Sequence, residues 1–187
     1  MDVIDLFGRA CGEFDRRMTA VQPDQWSHFT PCSEWDVRAL VNHVTVEDLW
    51  VPPLLQGGTI EEVGDRLDRD QLGDDPQAAW RDAMTAATQA AAALESVDQP
   101  VHISRGDVPA RDYLMEVAAD NVVHSWDLAI AVGADPRLDP ELVDVFAEWF
   151  ADKEDAFRAG GAVAERPPVA HDADAQTLLL AMYGRRA

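Results

Sequence analysis

The hydrophobic positions of this chain recur with the periodicity of an α-helix. Apolar residues recur at three- and four-residue steps in several long segments, and the strict alternation typical of strands is nearly absent. Because this spacing lines up apolar side chains on one face of a helix, the sequence predicts an all-α fold. The first predicted helix carries apolar positions from Val3 to Val21 and ends before Pro23.

The second predicted helix follows a loop at WSHFTPC. Ser33, with Asp36 three residues later, forms an approximate capping box, and an apolar stripe continues from there to about Trp50. Pro52 and Pro53 are expected to stop this helix, because proline lacks the amide hydrogen that a further turn requires.

Two further long helices are predicted in the middle of the chain. An alanine-rich helix over 75–95 begins with an Asp-Pro start signal, and a helix over 111–132 ends at Gly133. Between them, residues 97–109 hold two prolines, a glycine and the β-branched run VHIS, which predicts a bent crossover with one extended piece.

The C-terminal part predicts a smaller helical appendage. A fifth helix runs from the Asp-Pro pair at 139–140 to the Gly-Gly pair at 160–161, and an extended strap then leads to a short helix that Gly184 closes. Four long helices plus this appendage predict a four-helix bundle. A length of 187 residues suits one core, so residues 1–187 are expected to form a single domain.

Charge and composition narrow the class of partner. The chain has 15 basic and 35 acidic residues, a net charge of −20 that would repel phosphate backbones and anionic headgroups, so neither nucleic acid nor a membrane is expected as a partner. No signal peptide is recognisable, and no apolar run approaches the ~20 residues of a membrane span, which favours a cytoplasmic protein. The two cysteines, Cys11 and Cys32, are therefore expected as reduced thiols.

Candidate chemistry lies on the second and fourth predicted long helices. Asp120 and His124 are spaced i, i+4, so a carboxylate oxygen and an imidazole nitrogen can converge on one ion, and His43 and Glu47 repeat this spacing. If the helices are neighbours, His43, Asp120 and His124 form a three-ligand site with open positions, which is typical of a catalytic metal. Glu47 would be a fourth ligand or a base, and Asp127 would orient an imidazole.

Spacing alone leaves plainer interpretations open. A histidine at the edge of an apolar helix face usually pairs with a backbone group or a carboxylate, and an i, i+4 Asp–His pair is also an ordinary surface ion pair. Asp127 can equally be a solvated acid, and Trp35 and Trp126 are expected as core residues. Cys32 has no basic neighbour in the sequence to activate it, and no serine elbow or phosphate loop occurs, so nucleophilic catalysis by the protein is not predicted.

Three segments carry a resemblance to a known family. TPCSEWDVRALVNHV, DNVVHSWDLA and LLLAMYGRR resemble the DinB/YfiT-like superfamily, and within it the actinobacterial metal-binding branch related to the N-terminal domain of mycothiol-dependent maleylpyruvate isomerase. The likeness spans nearly the whole chain. It implies a DinB-like four-helix bundle with one divalent metal ion, zinc or nickel, whose ligands fall on His43, Asp120 and His124.

The resemblance also implies a reaction class. A metal-dependent S-transferase or isomerase-like enzyme would use a low-molecular-weight thiol, with mycothiol as the co-substrate, and a small-molecule electrophile. Two departures separate the chain from that isomerase: the acidic ligand is Asp120 instead of glutamate, and the chain is expected to lack the additional C-terminal domain that helps to bind the thiol. Isomerisation of maleylpyruvate itself is therefore not expected.

Two other functions remain open at this point. One is a non-catalytic metal or small-ligand binding protein, and the other is an interaction bundle whose histidines pair with acids and bind no metal. A homodimer is also expected, because DinB-like bundles often pair and Trp149 and Phe150 would leave apolar surface to cover.

Overall fold

The structure is a computed structural model that describes residues 2–32 and 35–187. Its helices and strands, in chain order, are α1 (Val3–Met18), α2 (Val37–Leu55), α3 (Ile60–Val63), a 3-10 turn (Gly64–Leu67), α4 (Pro76–Ala92), β1 (Pro100–Ile103), β2 (Gly106–Pro109), α5 (Ala110–Val132), α6 (Pro140–Phe150), α7 (Glu154–Ala159) and α8 (Ala175–Met182). They fall into two compact units, one that reaches to Ala134 and one over Asp135–Ala187. The single domain over 1–187 stays a prediction.

Four long helices form the first unit. Helix α1 packs against α4 and α5, and α2 packs against the same two helices, so the four close into a ring. Each helix contributes fully buried side chains to the centre, among them Phe14, Val41, Trp80 and Leu128. Each such side chain contributes roughly 1.5–3 kcal/mol by leaving water. The predicted all-α four-helix bundle is therefore confirmed.

The beginning of α2 depends on Asp36. Its side chain accepts a hydrogen bond from the amide of Ala39 at 2.8 Å, which satisfies one of the free donors of the first turn. The cap is therefore Asp36, where the sequence predicted a capping box opened by Ser33. Ser33 lies outside the described residues.

The end of α2 differs from the prediction. The helix continues through Pro52 and Pro53 to Leu55 instead of stopping near residue 50. A proline inside a helix costs ~3 kcal/mol, but this last turn buries Val51 and Leu54 almost completely. Burial of these side chains, at ~1.5–3 kcal/mol each, offsets the missing hydrogen bonds.

Two helices end earlier than predicted, and two connections are more regular. Helix α1 ends at Met18 and α4 ends at Ala92, each about one turn earlier than the apolar pattern suggested. The crossover before α5 is a two-stranded antiparallel hairpin in which Val101 pairs with Val108. The connection after α2 contains α3, which begins with a capping box that the sequence analysis missed.

Helix α5 is the longest of the four helices of the bundle. It spans 23 residues and ends at Gly133, whose φ of 71° lies in the left-handed region that favours glycine, as the sequence predicted. Its residues are buried around nearly the whole circumference between positions 117 and 129, so its polar flank also faces protein. In the part of the chain that the structure describes, no helix is long and apolar enough to cross a membrane.

The second unit holds the C-terminal helices. Helix α6 packs against α8, and Phe150 is fully buried with its ring stacked on Tyr183 at a centroid distance of 4.1 Å. The fifth predicted helix is in fact two, α6 and α7, separated by residues 151–153; this turn holds no proline or glycine, and nothing in the local sequence explains the break. Phe150 leaves no apolar surface for a partner, and dimerisation stays a prediction.

Candidate metal centre

The three predicted ligands meet between α2 and α5. Nε2 of His43 lies 2.9 Å from Oδ2 of Asp120, and Nε2 of His124 lies 3.3 Å from Oδ1 of the same carboxylate. One donor atom from each of the three residues lies within 4.8 Å of the other two. A single carboxylate therefore faces two imidazole nitrogens at a spacing that one ion can bridge.

The donor set suits a transition metal. Two imidazole nitrogens and one carboxylate oxygen are ligands that zinc and nickel accept. The side chains of His43 and Asp120 are 29% and 33% exposed, whereas that of His124 is only 5% exposed. The site therefore opens to solvent on the side of His43 and Asp120, where a further ligand can approach.

Asp120 and His124 each stabilise the charged form of the other. Burial raises the pKa of Asp120, but attraction to His124 and then to His43 outweighs it and holds this pKa well below its ordinary value. Burial lowers the pKa of His124. The charge of Asp120, and hydrogen bonds from His124 to Asp120, Asp127 and Cys32, outweigh burial and raise this pKa well above its ordinary value. A cation that binds here must displace a proton from His124.

Asp127 fixes the other side of the His124 ring. It is fully buried, and its Oδ2 lies 2.9 Å from Nδ1 of His124. The interpretation of Asp127 as a solvated acid is therefore wrong. When Nδ1 donates its hydrogen to Asp127, the lone pair of Nε2 points toward Asp120, which is the orientation a metal ligand needs.

The loop before α2 adds Cys32 to this cluster. Its Sγ lies 3.3 Å from Oδ2 of Asp127 and 3.9 Å from Nδ1 of His124. The hydroxyl of Thr30 accepts a hydrogen bond from the amide of Cys32 at 3.1 Å and donates one to the carbonyl of Trp35 at 2.9 Å, so it links these two residues. These neighbours of Cys32 were not predicted from the sequence, because His124 follows Cys32 only after 92 positions.

Trp35 covers both histidines of the site. Its ring centroid lies 4.6 Å from that of His43 and 5.7 Å from that of His124. The same side chain also packs against the hydrophobic core, as the sequence predicted. Trp35 therefore does more than fill the core, because it also restricts how the two imidazoles can turn.

Glu47 lies one helical turn after His43, and the charges of the site shift its pKa. Burial raises its pKa and the charge of Asp120 raises it further, while His43 and His124 act in the opposite direction. A carboxyl group with a raised pKa exchanges protons nearer to neutral pH, which suits the predicted role of a base.

A fully buried polar layer lies beside the site. Oδ1 of Asp48 accepts a hydrogen bond from the side-chain amide of Asn121 at 3.0 Å, and the thiol of Cys11 lies 3.8 Å from Oδ2 of Asp48. Burial raises the pKa of Asp48 to about 7. The sequence analysis missed Asp48, although it follows Val41 and Val44 at helical spacing and so occupies a core position.

A family model and two relatives match this chain. A family model described as the mycothiol maleylpyruvate isomerase N-terminal domain matches residues 7–129. Two relatives, both described as uncharacterized proteins of Mycobacterium tuberculosis (strains CDC 1551 / Oshkosh and ATCC 25618 / H37Rv), are 32% identical over 150 residues, which cover 76% of this chain and 74% of the relative.

Two solved structures share the fold. The crystal structure of the mycothiol-dependent maleylpyruvate isomerase superposes with a TM-score of 0.61 at 15% identity, and a mutant of that isomerase with 0.63 at 14%. Each match covers 78% of this chain and 66% of the isomerase, just under two thirds of its length. The residues matched by the family model contain His43, Asp120 and His124. The chain belongs to the family of the mycothiol maleylpyruvate isomerase N-terminal domain.

Proposed function

We propose that this chain binds one divalent metal ion through His43, Asp120 and His124 and acts as a metal-dependent enzyme on a low-molecular-weight thiol and a small electrophile. The observation that carries the proposal is the carboxylate of Asp120, which faces both Nε2 atoms in a chain of this family. The solved relative is described as mycothiol-dependent, so mycothiol is the thiol that we propose.

The charge of the donor set favours an anionic substrate. One carboxylate and two neutral imidazoles leave one positive charge of a divalent cation uncompensated. Zinc or nickel bound here would supply Lewis-acid chemistry, which lowers the pKa of a coordinated thiol. A thiolate both balances the remaining charge and is the nucleophile that the reaction needs.

The residues of this chain divide the remaining tasks. The partial exposure of His43 and Asp120 gives the thiol and the electrophile a common approach. Glu47 takes up the proton that the thiol releases, because its raised pKa brings it toward the working range of a general base. Asp127 keeps the Nδ1 hydrogen of His124 in place.

Metal analysis of protein without a histidine tag tests the first half of the proposal. We expect close to one nickel ion per wild-type chain after incubation with nickel, and a large loss of bound nickel in His43→Ala. His102→Ala is the matched control, because His102 is half-exposed and paired with Asp107 in the β1–β2 hairpin. A wild-type chain that stays free of metal after incubation with zinc and nickel would contradict the proposal.

Mass spectrometry of thiol adducts tests the second half, with mycothiol, a panel of small electrophiles and metal-loaded protein. We expect metal-dependent adducts, formed ~10²–10⁴-fold more slowly by Glu47→Gln if Glu47 is the base. Metal binding without any adduct across the panel would instead favour a non-catalytic metal-binding protein.

A further inference from the structure

A second set of ligand atoms lies on the other side of the His124 ring. Nδ1 of His124 lies 2.9 Å from Oδ2 of Asp127. Sγ of Cys32 lies 3.9 Å from that Nδ1 and 3.3 Å from the same Oδ2. One donor atom from each residue lies within 4.8 Å of the others. This set shares only His124 with the site between α2 and α5.

The spacing fits a tetrahedral ion. With metal–sulfur bonds of ~2.3 Å and metal–nitrogen or metal–oxygen bonds of ~2.0–2.1 Å, the donor atoms of such an ion lie ~3.3–3.6 Å apart. The three separations, 2.9, 3.3 and 3.9 Å, scatter around that range. Small shifts of the Cys32 and Asp127 side chains would therefore complete the geometry.

The chemistry of the donors selects the ion. A cysteine thiolate, an aspartate and a neutral imidazole together balance the charge of a divalent cation, so this set needs no anionic ligand from solution. Thiolate sulfur favours thiophilic ions such as zinc and cadmium over magnesium or calcium. Asp127 is fully buried and His124 nearly so, while Cys32 is only partly buried and leaves a route for entry.

We propose that Cys32, His124 and Asp127 form a second cation site, which takes a thiophilic divalent ion through Sγ, Nδ1 and a carboxylate oxygen. Binding releases two protons to solvent, one from the thiol of Cys32 and one from Nδ1 of the His124 imidazolium. The inference stands on these three residues and does not depend on the proposed enzymatic function.

The two sites compete through His124. An ion between α2 and α5 needs the lone pair of Nε2 and leaves the ring hydrogen on Nδ1, where Asp127 accepts it. An ion beside Cys32 needs the lone pair of Nδ1 and leaves the hydrogen on Nε2, which lies 3.3 Å from Asp120. Both ions can bind together only if the His124 ring also loses its remaining N–H hydrogen. Binding at one site therefore lowers the affinity of the other site.

Cobalt titration of the full-length His43→Ala protein tests the site. This variant lacks one ligand of the first site and keeps the three residues proposed here. Thiolate coordination of Co²⁺ gives a strong near-ultraviolet absorption band, so we expect this band to saturate at one cobalt per chain. The additional substitution Cys32→Ser should remove it, whereas Cys11→Ser should keep it, because Cys11 is buried next to Asp48.

Absence of the band in His43→Ala, or its persistence after Cys32→Ser, would overturn the proposal. Circular dichroism checks that each variant folds, and Asp120→Asn replaces His43→Ala if that variant does not. The competition is tested by titration with cadmium. The midpoint of the cadmium–thiolate band should lie at a ~5–150-fold higher cadmium concentration in nickel-loaded wild type than in His43→Ala. Equal midpoints would show that the sites are independent.

Discussion

Asp48 is a carboxylic acid with no access to water. Its burial raises its pKa from 3.8 to about 7, so at mildly acidic pH the folded chain keeps a proton that the unfolded chain has lost. Stability from this group is fully present below pH ~4, falls by up to ~1.4 kcal/mol per pH unit as the pH rises, and is lost above pH ~7.

The substitution Asp48→Asn should remove this slope. Asparagine keeps the shape and can still accept the hydrogen bond from Asn121, but it carries no charge at any pH. We expect the free energy of unfolding, measured with urea between pH 5 and pH 8, to fall less steeply than in wild type. Asp82→Asn, on the exposed face of α4, is the control and should retain the wild-type slope. Equal slopes in Asp48→Asn and wild type would contradict the burial argument.

Residues were predictable where one helix or one motif carried the signal. His43, Asp120 and His124 stood out because their spacing and the family motif pointed to the same positions, and the structure brings them together. Cys32 was missed because its neighbours come from a distant helix, and folding alone creates that contact. No local pattern in a sequence reports a loop that closes onto a remote helix.

The turn that follows α2 is sensitive to the addition of a single methyl group. The amide of Gly58 donates to the carbonyl of Pro53 at 2.9 Å, and a Cβ on Gly58 would lie 2.8 Å from that oxygen. Because the obstacle is backbone, it cannot move aside as a flexible side chain would. The close approach explains why a glycine stands at this position.

We expect Gly58→Ala to destabilise the chain by ~1–3 kcal/mol, the usual cost of overpacking. Gly8→Ala is the matched control, because Gly8 is exposed within α1 and a Cβ there meets no other atom within 4 Å. That control should stabilise the chain by ~0.5–1 kcal/mol. Thermal unfolding of both variants measures the contrast, and a neutral Gly58→Ala would show that the turn can relax.

Element interiors were easier to predict than element ends. The apolar spacing of α1, α4 and α5 located these helices, since the same spacing builds the core. The predicted end of α2 was wrong, because burial of the last turn outweighs the local cost of two prolines. The break between α6 and α7 carries no proline or glycine signal that a sequence reading could use.

Charge is the property that belongs to the whole molecule. A net charge of −20 on 187 residues opposes compaction, and dissolved salt screens that repulsion. We expect the midpoint of thermal unfolding at pH 7.5 to rise with sodium chloride, by ~2–4 °C for each kcal/mol gained. The rise should shrink at pH 5, closer to the sequence pI of 4.3. A midpoint that does not change with salt would contradict the view that charge repulsion destabilises the folded chain.

The position of Trp35 ties the geometry of the two histidines to the start of α2. The residue that covers the two histidines stands directly before Asp36, the cap of α2. The cap itself is worth ~0.5–2 kcal/mol. Fraying at this helix end would free both imidazoles to turn, so the geometry of the two histidines follows the local opening equilibrium of that end and not the stability of the bundle.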